Sequence, residues 1–491
     1  MSSSLSTLDR TLDQTATRSS DIAFLGRSLH STARFAAGGA APSDAAPTRW
    51  VSVSIPAPAS TPEHFLRLVG TDQGLLWVPP SGHAIAGSGA AAHLAVSGRE
   101  RIDELRQQAS AMLESIAVVR APGVVAPSPR FFGGLAFEAG GTEEEPWRAF
   151  GDGSFLLPRW LYTLHEGKAS LTYTASVAEI LRPRGGSGEN SESENGLDSV
   201  EATADYLLSQ LAEADPSAPY SAEAIALRQL PAQPWTEMVE EIRREIRDGN
   251  FQKIVAARRS EVELLETVDP LALLHRLDGR TPNCLRFAFF RNGSCFLGAT
   301  PERLVRKDGS RVSTEALAGS IATGPGQGER LLASEKDRWE HELVVRHVIE
   351  RLQPFCSPLD WSQDPGVRTL RNLLHLHTPV HGELRNGSHV LELVEALHPT
   401  PAVGGVPATE ARHWIAAHEA TPRGWYAGPV GWFDRSGDGE FDVALRSCLV
   451  HGTRAWVYAG SGIVADSDPT EEYRETDLKQ RGLLTALGVT D

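Results

Sequence analysis

Two helix-forming segments carry acids where apolar side chains belong. After Ser334, a good N-cap, a step of four from Glu340 reaches Val344, Val348 and Leu352, so Glu340 continues an apolar stripe. In the second segment, Asp468 caps and Pro469 suits the first helical position. Stepping back from Leu487 and Leu483 reaches Lys479, Glu475 and then, by three, Glu472. An acid on a buried face is costly unless it is paired or bound to a cation. Acids from two helices converging on one cavity would suit a hard, oxygen-seeking ion such as Mg²⁺. The alternative is that each helix end simply emerges into solvent. Lys253 interrupts the apolar run Phe251 to Arg258. It reads either as a partly buried base or as an edge lysine. Arg446 alternates away from Phe441, Val443 and Leu445 on an expected strand from Glu440 to Val450. It can grip a carboxylate there or be exposed. Asp434 to Glu440 has Leu445 at the twelfth position of a would-be calcium loop, so a hairpin turn fits better. His375, His377 and His381 lack zinc-helix spacing.

These groups need a large scaffold to hold them, and the chain supplies one. It has 491 residues, 41% of them hydrophobic and 22% charged, which excludes wholesale disorder. With 47 Lys and Arg against 63 Asp and Glu, its formal charge of −16 argues against nucleic acid or an anionic membrane surface as partner. No run is long enough to span a bilayer, and no secretory apolar core opens the chain. Four scattered cysteines make no disulfide framework. A cytoplasmic enzyme is the expectation. Three regions are expected: a flexible leader over 1–48, a strand-rich half over 49–230 with a solvated insertion at about 182–199, and a catalytic region over 231–491. Strand runs mixed with isolated helices indicate an α+β fold. Helices are expected at Trp235 to Arg247, Glu335 to Gln353 and Pro469 to Gly488, with strands at Phe251 to Leu264 and Cys295 to Ala299.

From Trp235 to Gly488 the chain resembles the chorismate-utilising enzymes, and within them the isochorismate synthases. The blocks that carry the resemblance stand in order: FQKIVAAR (251–258), FLGATPERLV (296–305), EALAGS (315–320), SEKDRWEHELV (334–344), LHLHTPVHG (374–382), LHPTPAVGG (397–405), RGWYAGPVGW (423–432) and YAGSGIVADSDPTEEYRETDLK (458–479). The resemblance implies two α/β halves whose large antiparallel sheets pack face to face, with the active site in the cleft between them. It implies Lys253 as general base and Glu302 as general acid. It also implies Mg²⁺ as cofactor, held by Glu340 and Glu475 with Glu472 nearby. Tyr426, Arg446 and Lys479 match groups that hold the substrate's carboxylates, and Gly319, Ser320, His375, Ala402, Gly460 and Gly462 line the same cleft. Relatives that install an amine carry glutamine at the base position, so Lys253 favours water as nucleophile. Lys253 thereby also speaks against an obligatory amidotransferase partner, and since nothing in the sequence demands a partner a monomer is the expectation. Lysine is shared with salicylate synthases, which go on to eliminate pyruvate, whereas Ala402 and its block are similar to enzymes that stop at isochorismate.

Overall fold

The computed structural model describes residues 2–38, 49–182, 196–215, 222–278, 281, 283–370 and 373–489. The chain divides into two compact units. The first comprises 1–93, 107–131 and 156–218, and the second 94–106, 132–155 and 219–491.

In the first unit the strand Trp50–Ala57 runs antiparallel to Lys168–Ser176 and parallel to Ile116–Arg120. Its alternation of Val and Ser does not mark a wet face. Ser52 and Ser54 are buried, bonded to Thr174 and Thr172, which satisfies hydroxyls that would otherwise be costly inside. The helix Ser2–Ala37 packs on this strand. A flexible leader was expected over 1–48; 2–37 of it are helical, and 39–48 lie outside the described residues. Leu25, Leu29 and Ala33 repeat every four residues and are buried, a stripe hidden among the polar residues of the segment. The expected insertion lies largely outside the described residues, and the helix after it is Gly196–Leu211.

The second unit contains two sets of antiparallel strands. One orders Ala224–Gln229, Lys253–Leu264, Arg454–Ile463, Ser447–His451, Ser294–Thr300 and Leu285–Arg291. The other orders Pro429–Asp434, Gly439–Val443, Arg303–Asp308, Arg311–Ala322 and Leu373–Leu384. The chain passes between the sets twice. Pro301 and Glu302 join Ser294–Thr300 to Arg303–Asp308, and Ala444 to Arg446 join Gly439–Val443 to Ser447–His451. One strand from Glu440 to Val450 was expected. Its interruption is held by the left-handed backbone of Arg446 (φ 50°) and by the Ala299 amide donating to the Arg446 carbonyl. Two helices cover these strands. Glu335–Leu352, capped by Ser334, packs on Arg311–Ala322 and buries Val344, Val348 and Leu352. Pro469–Ala486, capped by Asp468, packs on Arg454–Ile463 and buries Glu472 and Leu483. The Asp434 to Glu440 segment is the expected hairpin turn, with Gly437 amide to Asp434 carbonyl at 3.0 Å. All four cysteines are free and buried, and among the described residues no helix is long and apolar enough to cross a membrane.

Candidate active site

A cavity in the second unit collects Glu302, Gly319, Ser320, Glu340, His375, Ala402, Tyr426, Arg446, Gly460, Gly462, Glu475 and Lys479 along its walls. Lys253 and Glu472 are not part of the lining: Lys253 bonds the wall residue Glu340, and Glu472 bonds Ser461, which also contacts the wall residue Glu475. Every residue singled out from the sequence is thus brought to one place. The acids on the apolar stripes do not emerge into solvent. They turn inward and meet lysines.

Lys253 is the first residue of its strand and fully buried, not an edge lysine. Its Nζ donates to Glu340 Oε1 at 2.8 Å. Gly462, on the neighbouring strand, makes room for this pair. A Cβ there would lie 2.5 Å from Glu340 Oε1 and 2.7 Å from Lys253 Cε, closer than real Cβ contacts come. Replacing Gly462 by alanine is therefore expected to push the two side chains apart and to cost roughly tenfold or more in kcat, by the steepness with which misplacement lowers rate. Steady-state kinetics on a variant with native circular dichroism checks it.

Glu472 is buried and accepts from Lys336 Nζ at 2.8 Å and from Ser461 Oγ. Glu475 accepts from Lys479 Nζ at 2.6 Å, and its Oε2 lies 3.0 Å from the same Ser461 Oγ. Burial pushes both carboxyls up. For Glu472, the neighbouring Glu475 charge adds to burial and the carboxyl stays raised. For Glu475, the charge and hydrogen bond of Lys479 outweigh burial and hold it down at about 2. Lys336 and Ser461 were missed in the sequence. Lys336 lies one turn before Glu340 on the same helix face, and Ser461 sits between the two glycines already singled out, so both could have been found.

Oxygen donors of Glu340, Glu472, Glu475 and Ser461, with two carboxylates repelling each other, make a set whose chemistry fits a hard divalent cation. Among the described residues no three His, Cys, Asp or Glu groups already close on one metal position. Each carboxylate is paired with a lysine instead.

In the same cavity, Glu302 sits at the first crossing between the strand sets, 4% exposed. Burial, reinforced by the Glu315 charge and opposed by Lys253, Lys479 and Arg368, pushes its carboxyl up to about 8. It is mostly protonated at neutral pH, as a proton donor must be. Arg446 stands at the second crossing, half-buried. Tyr426 stacks on Tyr458, ring centroids 5.2 Å apart. His375 Nδ1 lies 2.8 Å from Ser320 Oγ. Burial, then the charges of Arg446 and Lys479, push the ring down to about 3, so it is neutral. Its Nε2 is buried without a hydrogen-bond partner among the described residues. Gly319 (φ 75°) is the extra residue of a β-bulge against His375 and Leu376, where a left-handed backbone calls for glycine. The bulge sets Ser320 opposite His375. Ala402 packs on Ala316, Ala318 and Val344.

Residues 37–488 match the family of chorismate binding enzymes, and the chain belongs to that family. Among its curated relatives, a salicylate biosynthesis isochorismate synthase of Pseudomonas aeruginosa is 38% identical over 427 residues, covering 85% of this chain and 86% of the relative. Isochorismate synthase MenF of Bacillus subtilis is 34% identical over 375 residues, covering 74% and 75%. Among solved structures, the menaquinone-specific isochorismate synthase MenF of Escherichia coli matches with a TM-score of 0.72 at 27% identity, over 94% of this chain and 99% of that one. The mixed α/β architecture is therefore that of this family.

Proposed function

We propose that the chain is an isochorismate synthase, converting chorismate to isochorismate. The observation that carries this is the pairing of opposite proton functions in one cavity. Glu302 is held protonated by its surroundings, and a fully buried lysine stands in the same site. Lys253, acting as the neutral amine once it no longer holds Glu340 as an ammonium, takes a proton from a water whose oxygen bonds to C2 of the ring. The ring double bonds shift, and the C4–O bond breaks with its electron pair on the hydroxyl. That hydroxyl takes the Glu302 proton and leaves as water. One water enters and one departs, so the product is an isomer of the substrate. Chorismate is a dianion, and Arg446 and Lys479 supply local positive charge in a chain of net charge −16. Tyr426, with its hydroxyl close to Gly460, offers a further donor to a carboxylate. Glu340 and Glu475, with Glu472 beside them, would hold Mg²⁺. When bound, the ion draws electron density from the ring carboxylate.

Product analysis of purified protein with chorismate and Mg²⁺, with and without EDTA, tests this reading. The expected result is a mixture of chorismate and isochorismate without pyruvate, suppressed by EDTA and restored by excess Mg²⁺. Salicylate with equal pyruvate would add a pyruvate-eliminating step to the same site. Turnover indifferent to EDTA would remove the metal from the proposal.

A further inference from the structure

Beside Glu302 lies a carboxylate outside the cavity lining, and it is built more heavily than a surface acid needs. Glu315, on Arg311–Ala322, accepts from the backbone amide of Arg303, the residue after Glu302, at 3.0 Å. One guanidinium nitrogen of Arg368 lies 2.9 and 2.8 Å from its two oxygens. His377 Nε2 lies 2.9 Å from Oε2. Three neighbouring segments deliver these partners. Arg303 begins the strand on one side, His377 lies on the strand on the other, and Arg368 stands on Gly366–Thr369 beyond that. Arg368 also reaches the Asn283 carbonyl at 3.3 Å. Resting on the reading of Glu302 as the acid, we infer that Glu315 is a positioning residue, which fixes the backbone after Glu302 and keeps a negative charge behind it so that Glu302 stays protonated at working pH.

The electrostatics agree with the geometry. Burial pushes Glu315 up, but His377, Arg368 and the Arg303 amide more than offset this and hold it ionised. Its charge is the largest contribution after burial to the raised carboxyl of Glu302. The groups acting on Glu302 are Glu315 on the anionic side and Lys253, Lys479 and Arg368 on the cationic side. Around Glu315 stand Arg303, Arg368 and His377, with Asp442 and Glu440 on the strand beyond Arg303–Asp308. Asp442 is itself pushed far up by burial and by the Glu440 charge. Glu315 supplies the repulsion.

Two substitutions shift the same limb in opposite directions. A general acid works while protonated, so activity falls as pH rises through its pKa. In Glu315→Gln the repelling charge is gone and Arg368 is no longer neutralised, and both changes favour ionised Glu302. The alkaline limb of kcat against pH is expected to move down by roughly one unit. In Arg368→Gln a cation is lost and Glu315 is less neutralised, so the limb is expected to move up. Glu315→Asp keeps the charge and should leave the limb near its wild-type position even if kcat falls. Profiles of isochorismate formation from about pH 6 to about pH 10, together with a carbon NMR titration of the Glu302 carboxyl, read all three. Limbs that coincide in wild type, Glu315→Gln and Arg368→Gln overturn the inference, as does a shift of both in one direction. A wild type without any alkaline limb overturns instead the assignment of Glu302 as acid. If Glu315→Gln does not fold, Arg368→Gln alone decides by the sign of its shift.

Discussion

Glu302→Gln is expected to lower kcat by ~10²-fold or more while leaving KM within a few-fold of wild type. Glutamine keeps the volume and the neutral state of a carboxyl that burial and Glu315 already hold up at about 8. The ground-state complex should therefore be little disturbed. What is lost is the proton itself, since an amide donates a hydrogen bond but cannot release a proton to the departing hydroxyl. The alkaline limb of the wild type should vanish from the residual activity. Stability should change in the opposite sense. A carboxyl whose pKa in the folded chain exceeds its unfolded value stabilises fully below the unfolded pKa, and that stability is lost as pH rises through the folded one. The window runs from the ordinary 4.5 of a glutamate to about 8. The variant avoids this loss, so its Tm relative to wild type should rise across that window, a trade of stability for function common at active sites. A variant that keeps more than about a third of wild-type kcat would remove Glu302 from the role of acid, and a Tm difference flat with pH would deny that its carboxyl is raised.

The parts of this site legible in the sequence are those written in a helical period. Glu340, Glu475 and Lys479 are recognisable because each replaces an apolar residue in a stripe that continues beyond it, and the structure buries both stripes. Resemblance supplied the roles of Lys253 and Glu302: local pattern favoured an edge lysine for the first and did not single out the second. Three features escaped. The break at Ala444 to Arg446 occurs inside a run with good strand alternation, and it exists because Ala299 takes the Arg446 carbonyl from another part of the chain. The helix Ser2–Ala37 is polar on most of its surface, and its short Leu25, Leu29, Ala33 stripe acquires meaning only against the strand it covers. Glu315 stands in a strand beside Thr314 and Ala316 and looks like any solvated position until Arg303, Arg368 and His377 arrive from three other segments. Periodicity reports which face a residue occupies. It does not report what distant segment meets that face.

Lys253→Met should cost ~10²-fold or more in kcat, because no other base would take the proton from water. It also tests how the carboxylates are balanced. Lys253 Nζ is fully buried and lies 2.8 Å from Glu340 Oε1, and methionine fills the space without the charge. Breaking a buried ion pair by removing one partner typically costs about 3–5 kcal/mol, because the remaining charge is left uncompensated. Glu340 keeps some solvent contact, with 13% of its side chain exposed, so the lower end of that range is the expectation. The sign of the metal response distinguishes this from a packing defect. If Glu340 belongs to the cation site, Mg²⁺ restores the missing positive charge, and the Tm of Lys253→Met should rise more steeply with Mg²⁺ than that of wild type. A packing defect would leave the two Mg²⁺ responses parallel. Full activity in Lys253→Met would remove the lysine from the mechanism and return the choice of nucleophile to an open question. Loss of activity with a steeper Mg²⁺ response would tie base and metal ligand together as one charge-balanced unit, in which the lysine that activates water also holds Glu340 until the cation takes its place.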